Sequence, residues 1–150
     1  MEENTDNPTT AKNTEQTENK FEPINPIGWA KPTGYNNGML ARSGGAILFV
    51  AGQIGWDKDK NLVSLEFSLQ FDQALSNVVE ITKAAGGEAA NIGKLTIYVT
   101  DKQEYIREIK SVGALYRKHM GKHFPAMALV EVKSLLEPNA KVEIEAMAVI

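Results

Sequence analysis

The period of the hydrophobic pattern changes along this chain, and that change limits the folds that the chain can adopt. Two segments repeat apolar residues at helical intervals, so one side of each helix faces a core. The first segment has Phe71, Leu75, Val78 and Thr82 on one face, and the second has Tyr105, Ile109, Val112 and Tyr116. Between them, residues 94–100 alternate apolar and polar side chains, which is typical of a β-strand. The pattern therefore predicts two helices set among strands.

Apolar, β-prone runs lie at both ends of this helical region. Residues 39–42 and 47–53 are separated by Ser43, Gly44 and Gly45, a composition that predicts a hairpin of two paired strands. Residues 126–132 and 141–150 predict the last two strands. The predicted order is ββ-α-β-α-ββ, an α+β fold in which a mixed sheet carries both helices on one face.

Local residue chemistry predicts where several elements begin and end. Asp101 is placed to cap the second helix, and Gly121 to end it. Residues 137–139, Glu-Pro-Asn, predict a turn before the last strand. Three prolines within residues 21–37 restrict the backbone there, so we expect an ordered but irregular lead-in.

The last predicted strand carries apolar side chains on both of its faces. One face holds Val142, Ile144, Ala146, Ala148 and Ile150. The other face holds Met147 and Val149 beside Glu143 and Glu145. Since the helices cover only one side of the sheet, the second apolar side predicts contact with further copies of the chain.

The first twenty residues differ in composition from the rest of the chain. They are mostly Asn, Thr, Glu, Gln and Lys without apolar periodicity, so we expect a disordered tail over 1–20 and a folded domain over 21–150. The tail carries five acidic and two basic residues, a net charge equal to the whole-chain value of −3. The predicted domain is therefore formally neutral, which argues against nucleic acid as a partner.

The residue inventory also limits the chemistry. There are no cysteines, which excludes disulfides, thiolate catalysis and cysteine-ligated zinc. Neither a signal-peptide pattern nor an apolar stretch of about 18 residues is present, so we expect no membrane span and a cytoplasmic location.

Five short segments, in this order along the chain, resemble the Rid (YjgF-like) family. They are Gly34-Tyr35-Asn36-Asn37-Gly38, Leu48-Phe49-Val50-Ala51-Gly52-Gln53-Ile54, Tyr98-Val99-Thr100-Asp101, Phe124-Pro125-Ala126 and Val142-Glu143-Ile144-Glu145-Ala146. The resemblance implies a chorismate-mutase-like fold assembled as a homotrimer, with ligand clefts between neighbouring subunits. It also implies hydrolysis of enamines or imines derived from amino acids to a keto acid and ammonia, without a cofactor or metal.

The resemblance assigns roles to individual positions. Tyr35 matches a tyrosine of the ligand cleft, Gly52 a residue whose backbone faces the ligand, and Glu143 the carboxylate that orients water. Met127 and Leu129 fall in the substrate-binding part of the cleft. Met127 stands where the family places an arginine, directly after Pro-Ala, and Ala51 stands where a serine often precedes Gly-Gln.

Methionine at position 127 changes what this cleft can hold. An arginine makes a bidentate clasp on a carboxylate, whereas methionine offers a flexible apolar surface. Because each charge-assisted hydrogen bond contributes about 1.5 to 3 kcal/mol, losing that pair weakens a carboxylate ligand strongly. We therefore expect altered specificity for a less polar small-molecule ligand, which Tyr35, Glu143 and backbone amides orient.

Two alternative functions remain open from the sequence. The clefts of a non-catalytic trimer could bind a metabolite without turnover, and the family resemblance also permits a ribonuclease or translation-inhibiting role.

His119 and His123 lie four residues apart, an interval that suits a shared metal ion, but Gly121 interrupts the helix between them. We therefore interpret both histidines as surface or helix-end residues, with no metal site.

Overall fold

The computed structural model of the protein describes residues 21–29, 33–34, 38–41 and 44–150, so the predicted tail lies outside the described residues. Within these residues lie six strands, three α-helices and a short 3₁₀ helix over Ala89–Asn91. The strands are β1 (Phe21–Ile24), β2 (Gly38–Ala41), β3 (Ile47–Ile54), β4 (Ile92–Val99), β5 (Ala126–Glu131) and β6 (Val142–Val149). The helices are α1 (Phe67–Ala84), α2 (Lys102–Arg107) and α3 (Ile109–Met120).

Four of these strands form the main sheet, in the order β3-β6-β4-β5. Strand β6 pairs antiparallel with β3 and with β4, whereas β4 and β5 pair in parallel. A parallel pair needs a crossover connection, which α2 and α3 provide between β4 and β5. The predicted α+β fold with a mixed sheet is therefore confirmed.

The helices and one face of the sheet enclose the hydrophobic core. Helix α1 buries Phe67, Phe71 and Leu75 almost completely, as its helical period predicts. From the sheet, Leu95 and Ile144 point into the same cluster. No helix in the described part of the chain is long and apolar enough to cross a membrane.

The opposite face of the sheet, which we call the open face, is covered by no helix among the described residues, and Phe21 of β1 packs at one end of it against Gly93. Phe49 and Ile47 on β3 are 72% and 60% exposed, and Val130 and Met147 continue this apolar surface across β5 and β6. Side chains of this size are usually buried, so the open face has the character of an interface.

The predicted hairpin between residues 39–42 and 47–53 is wrong. Among the described residues, β2 pairs with β1 and β3 pairs with β6. The backbone N–H of Ala46 donates to the Ile150 carbonyl at 3.1 Å, and the N–H of Ile150 donates to the Ala46 carbonyl at 2.9 Å. The segment before β3 therefore joins the C-terminal strand instead of closing a local turn.

Two further expectations need correction. The lead-in is not wholly irregular, because Phe21–Ile24 forms a strand that pairs with β2. The second predicted helix is divided into α2 and α3 at Glu108, whose φ of −97° and ψ of 10° depart from α-helical values. At this break, Glu108 Oε2 accepts a hydrogen bond of 3.0 Å from the Ser68 backbone N–H in the first turn of α1.

The predicted helix and turn boundaries agree with the structure. Asp101 accepts hydrogen bonds from the backbone N–H groups of Gln103 and Glu104, as an N-cap does. Gly121 ends α3 with a φ of 60°, and Asn139 forms the turn before β6 with a φ of 66°.

Gln70 is a buried polar residue of α1 that fixes the approach to β6. Its Nε2 donates to the carbonyl oxygens of Ser64 at 2.8 Å and Asn139 at 2.9 Å. Its Oε1 accepts from the backbone N–H of Lys141 at 2.8 Å. One side chain therefore ties the start of α1 to the residues immediately before the central strand.

We expect Gln70→Leu to destabilise the fold by roughly 1 to 4 kcal/mol, because three partly buried backbone groups lose their partner and the loss of a hydrogen-bond partner costs about 1 to 3 kcal/mol for a buried group and less where water can replace it. Equilibrium denaturation in urea measures the change. The matched control is Gln73→Leu on the same helix, where the side chain donates only to the Asn77 side chain, which is partly accessible to water. Equal destabilisation by both substitutions would contradict the role assigned to Gln70.

Candidate functional site

Glu143 lies on the open face of the sheet, in contact with Gly52 across a β-bulge. The pairing of β3 with β6 shifts register between Val50 and Gln53, and Gly52 occupies this irregular position. A Cβ atom placed on Gly52 would overlap the Glu143 carboxylate, lying 2.7 Å from Cδ and 2.9 Å from Cγ. Only glycine leaves room for the carboxylate here, so the structure brings these two sequence-predicted residues together.

Glu145 follows on the same face and is engaged by a tyrosine. The Tyr98 hydroxyl of β4 donates to Glu145 Oε1 at 3.1 Å. This hydrogen bond, together with slight desolvation and the charges of Glu145 and Glu143, raises the pKa of the Tyr98 phenol above its usual value. Of the two carboxylates, Glu145 is held by a neighbour, while no hydrogen bond of the Glu143 side chain is found among the described residues.

Met127 and Leu129 lie on the other face of the sheet. Both belong to β5, where they pair with Leu95 and Ile97 of β4 and pack against the hydrophobic core. Within one chain, the structure therefore separates these two predicted substrate-binding residues from Glu143 and Gly52 by the thickness of the sheet.

Met127 lines a cavity of about 510 Å³ between the sheet and the helices. Most of the lining is apolar or aromatic, including Ile97, Tyr105, Tyr116 and Phe124. Tyr116 and Phe124 stack with ring centroids 5.4 Å apart, which stiffens one wall. A cavity of this size and composition is suited to a small organic molecule.

The same cavity is lined by Thr33 and Gly34, which come immediately before the predicted ligand-binding Tyr35. Tyr35 itself lies outside the described residues. Arg117 of α3 also lines the cavity, although no sequence motif marks it as a ligand-binding residue. Its spacing of four residues from Gly113 could have suggested that the two share a helix face, but not that this face borders a cavity.

The two histidines point to different partners. His119 Nε2 lies 2.6 Å from Asp72 Oδ1, whereas His123 Nε2 lies 2.6 Å from the Ile92 carbonyl oxygen. Partial burial raises the pKa of Asp72, but hydrogen bonds from Lys118 and His119 outweigh it and leave that pKa below its usual value. No cluster of three or more residues able to hold a metal ion occurs in the described ranges.

A family profile described as Endoribonuclease L-PSP matches residues 30–150, which is most of the chain. The chain belongs to the Rid family. The human protein named 2-iminobutanoate/2-iminopropanoate deaminase is 35% identical over 103 residues, covering 68% of this chain and 72% of that protein. The Salmonella typhimurium protein of the same name is 36% identical over 108 residues, covering 70% and 80%.

Solved structures of Rid proteins share this fold. A Rid-family protein of unknown function from Yersinia pestis superimposes with a TM-score of 0.77 at 26% identity, covering 87% of this chain and 99% of its own. The YjgF protein of Escherichia coli superimposes with a TM-score of 0.59 at 31% identity, covering 83% and 90%.

The contact between Tyr98 and Glu145 in this Rid chain can be tested by titration. We expect Glu145→Gln to lower the pKa of Tyr98. The hydrogen bond to the charged Glu145 carboxylate stabilises the protonated phenol, and the carboxylate charge also disfavours the tyrosinate, so neutralising residue 145 weakens both effects. The tyrosinate ultraviolet absorbance, taken as a difference against Tyr98→Phe, reports that pKa. Glu143→Gln is the control and should lower it less, and equal shifts would contradict the assignment.

Proposed function

We propose that this Rid protein hydrolyses small imines or enamines. Water adds to the carbon of the C=N bond, the C–N bond then breaks, and the products are a carbonyl compound and ammonia. Membership in the Rid family and similarity to proteins named as 2-imino acid deaminases support this reaction class. The reaction needs a group that orients and deprotonates water, and it needs no electron transfer.

The observation that carries the proposal is the Glu143 carboxylate against Gly52. This carboxylate is partly exposed on the open face, where water and a ligand can reach it. At this β-bulge Gly52 has no side chain, and the Glu143 carboxylate occupies the volume that a side chain would take. The carboxylate can therefore approach a ligand held along the β3 backbone. In the proposed mechanism, Glu143 accepts a proton from the attacking water and passes it to the imine nitrogen, and it then transfers the hydroxyl proton of the adduct to the same nitrogen as the C–N bond breaks.

A neighbouring copy of the chain completes the proposed cleft. Glu143 and the Met127 cavity lie on opposite faces of one sheet, so a single chain does not offer both to one ligand. The exposed apolar side chains of the open face, such as Phe49 and Ile47, are suited to burial between copies. The proposed assembly is a homotrimer, with each cleft shared by two subunits.

Met127 is proposed to alter the specificity of the cleft. A methionine at this position provides no charge for an acid group and instead contacts an apolar part of the substrate. The surrounding aromatic walls favour a substituent larger than the short alkyl chains of 2-iminobutanoate and 2-iminopropanoate.

The catalytic role of Glu143 is tested by Glu143→Gln. We expect this isosteric change to lower the rate of ammonia release by about 10²-fold or more, since it removes a general base but keeps the volume. Freshly generated imines of different side-chain sizes are offered, and ammonia is measured. If the unmodified chain releases no ammonia above the uncatalysed rate from any imine, the proposed hydrolysis is wrong and a non-catalytic ligand-binding role is favoured.

A pair of glycine variants separates this role from a general loss of folding. Gly52→Ala places a methyl group where the carboxylate lies and should reduce turnover similarly. Gly44→Ala adds the same methyl group at a position with nothing within 4 Å and should leave turnover unchanged. Thermal unfolding of both variants shows whether the fold is retained.

The specificity role of Met127 is tested by Met127→Arg. We expect kcat/KM for small 2-imino acids to rise by about tenfold or more, because a bidentate pair with the substrate carboxylate becomes available. Met127→Lys adds the same charge without the planar fork and should give a smaller gain. If neither variant changes the ranking of substrates, residue 127 does not face the ligand.

A further inference from the structure

The cavity beside Met127 contains a guanidinium group that has no partner within the described chain. Four of the lysines and arginines in the described ranges form ion pairs, namely Lys83 with Glu80, Arg107 with Asp101, Lys118 with Asp72, and Lys141 with Glu104, whereas several exposed lysines form none. Arg117 forms none with a described residue, although it follows Tyr116 in the wall of the cavity. Its charge is therefore available to a ligand.

The Arg117 side chain lies over a glycine one turn earlier in α3. Arg117 Nη1 lies 3.5 Å from the position that a Cβ atom on Gly113 would take, so the guanidinium folds back over this glycine. Both residues line the cavity. Glycine disfavours a helix interior relative to alanine, and at this position it leaves the space beside the guanidinium free of a side chain.

The rest of the lining restricts the ligand to an apolar body. Tyr105, Tyr116 and Phe124 present ring surfaces, and Ile97 and Met127 close the cavity on the sheet side. The Tyr116 hydroxyl is already engaged, because it donates to the His123 carbonyl oxygen at 2.8 Å. The Arg117 guanidinium is thus the available charged group among aromatic and aliphatic walls.

We propose that this cavity binds an arylalkyl carboxylate, with the ring between the aromatic side chains and the carboxylate on Arg117. One guanidinium balances one negative charge and offers two parallel N–H donors, which matches a carboxylate. A phosphate, with nearly two charges, would need a second cation, and the described lining contains no other. The inference rests on the proposed function in one respect, namely that the substrate enters the Met127 cavity.

This assignment moves the acid-binding group away from position 127. The apolar part of the substrate contacts Met127, and the acid group lies at the α3 side of the cavity. The substrate class is then an imine that carries both an aromatic side chain and a carboxylate. A short 2-imino acid has no ring to place between the aromatic walls.

Calorimetric titration of the full chain with two isosteric test ligands decides the question. We expect 3-phenylpropanoate to bind at least about tenfold more tightly than 3-phenylpropanamide, because only the acid forms charge-assisted hydrogen bonds with Arg117. Arg117→Gln should remove this preference by weakening the acid alone. Arg107→Gln, which removes another exposed helical arginine outside the cavity lining, should change neither affinity.

A second variant tests the cavity without touching its charge. Gly113→Leu should weaken both test ligands, because the new side chain occupies space beside the guanidinium while favouring the helix. The inference is overturned if the unmodified chain binds neither ligand, if it does not prefer the acid, or if Arg117→Gln keeps the preference. Such a result leaves ammonia release and its dependence on Glu143 untouched, so it is distinct from a failure of the proposed function.

Discussion

The two-residue repeat of β6 is the constraint on which the rest of this structure depends. Strand β6 lies between β3 and β4, and its apolar residues on one face complete the core beneath α1. The same alternation sends Glu143 and Glu145 to the open face. A slip of one residue would bury both carboxylates and expose Ile144, so burial of the apolar face also fixes where the candidate catalytic group lies. The Gln70 hydrogen bonds to Asn139 and Lys141 secure this register at the start of the strand.

Features that depend on local chemistry could be predicted from the sequence. The helical repeat of α1, the Asp101 cap and the Gly121 end agree with the structure, because each depends on residues a few positions apart. The second helical repeat agrees only in part, since the helix is interrupted at Glu108 and Ile109 is 51% exposed. Strand partners could not be predicted in this way. The glycines before β3 suggested a local hairpin, but β3 pairs with a strand almost one hundred residues later. Pairing of this kind depends on burial of the whole sheet, which local turn chemistry does not report.

Part of the candidate site could also be predicted from the sequence. The resemblance to Rid proteins selected Glu143 and Gly52, and their contact depends on a bulge that the sequence alone does not reveal. It also selected Met127, although the position of this residue on the helix side depends on the parallel pairing of β4 with β5. Arg117 was missed, because a charged residue on an amphipathic helix is ordinarily solvated and only tertiary packing shows that it borders a cavity.

Because the sheet separates Met127 from Glu143, the residues around the Met127 cavity and the carboxylate can change independently during evolution. Side chains that enclose the cavity are anchored in α2, α3 and β5, whereas the carboxylate stands on the far side of β6. A substitution in the cavity wall therefore does not alter the contact between Gly52 and Glu143 at the bulge. In a lineage that keeps the carboxylate and its glycine, the range of accepted molecules can change while the proposed catalytic group is inherited unchanged.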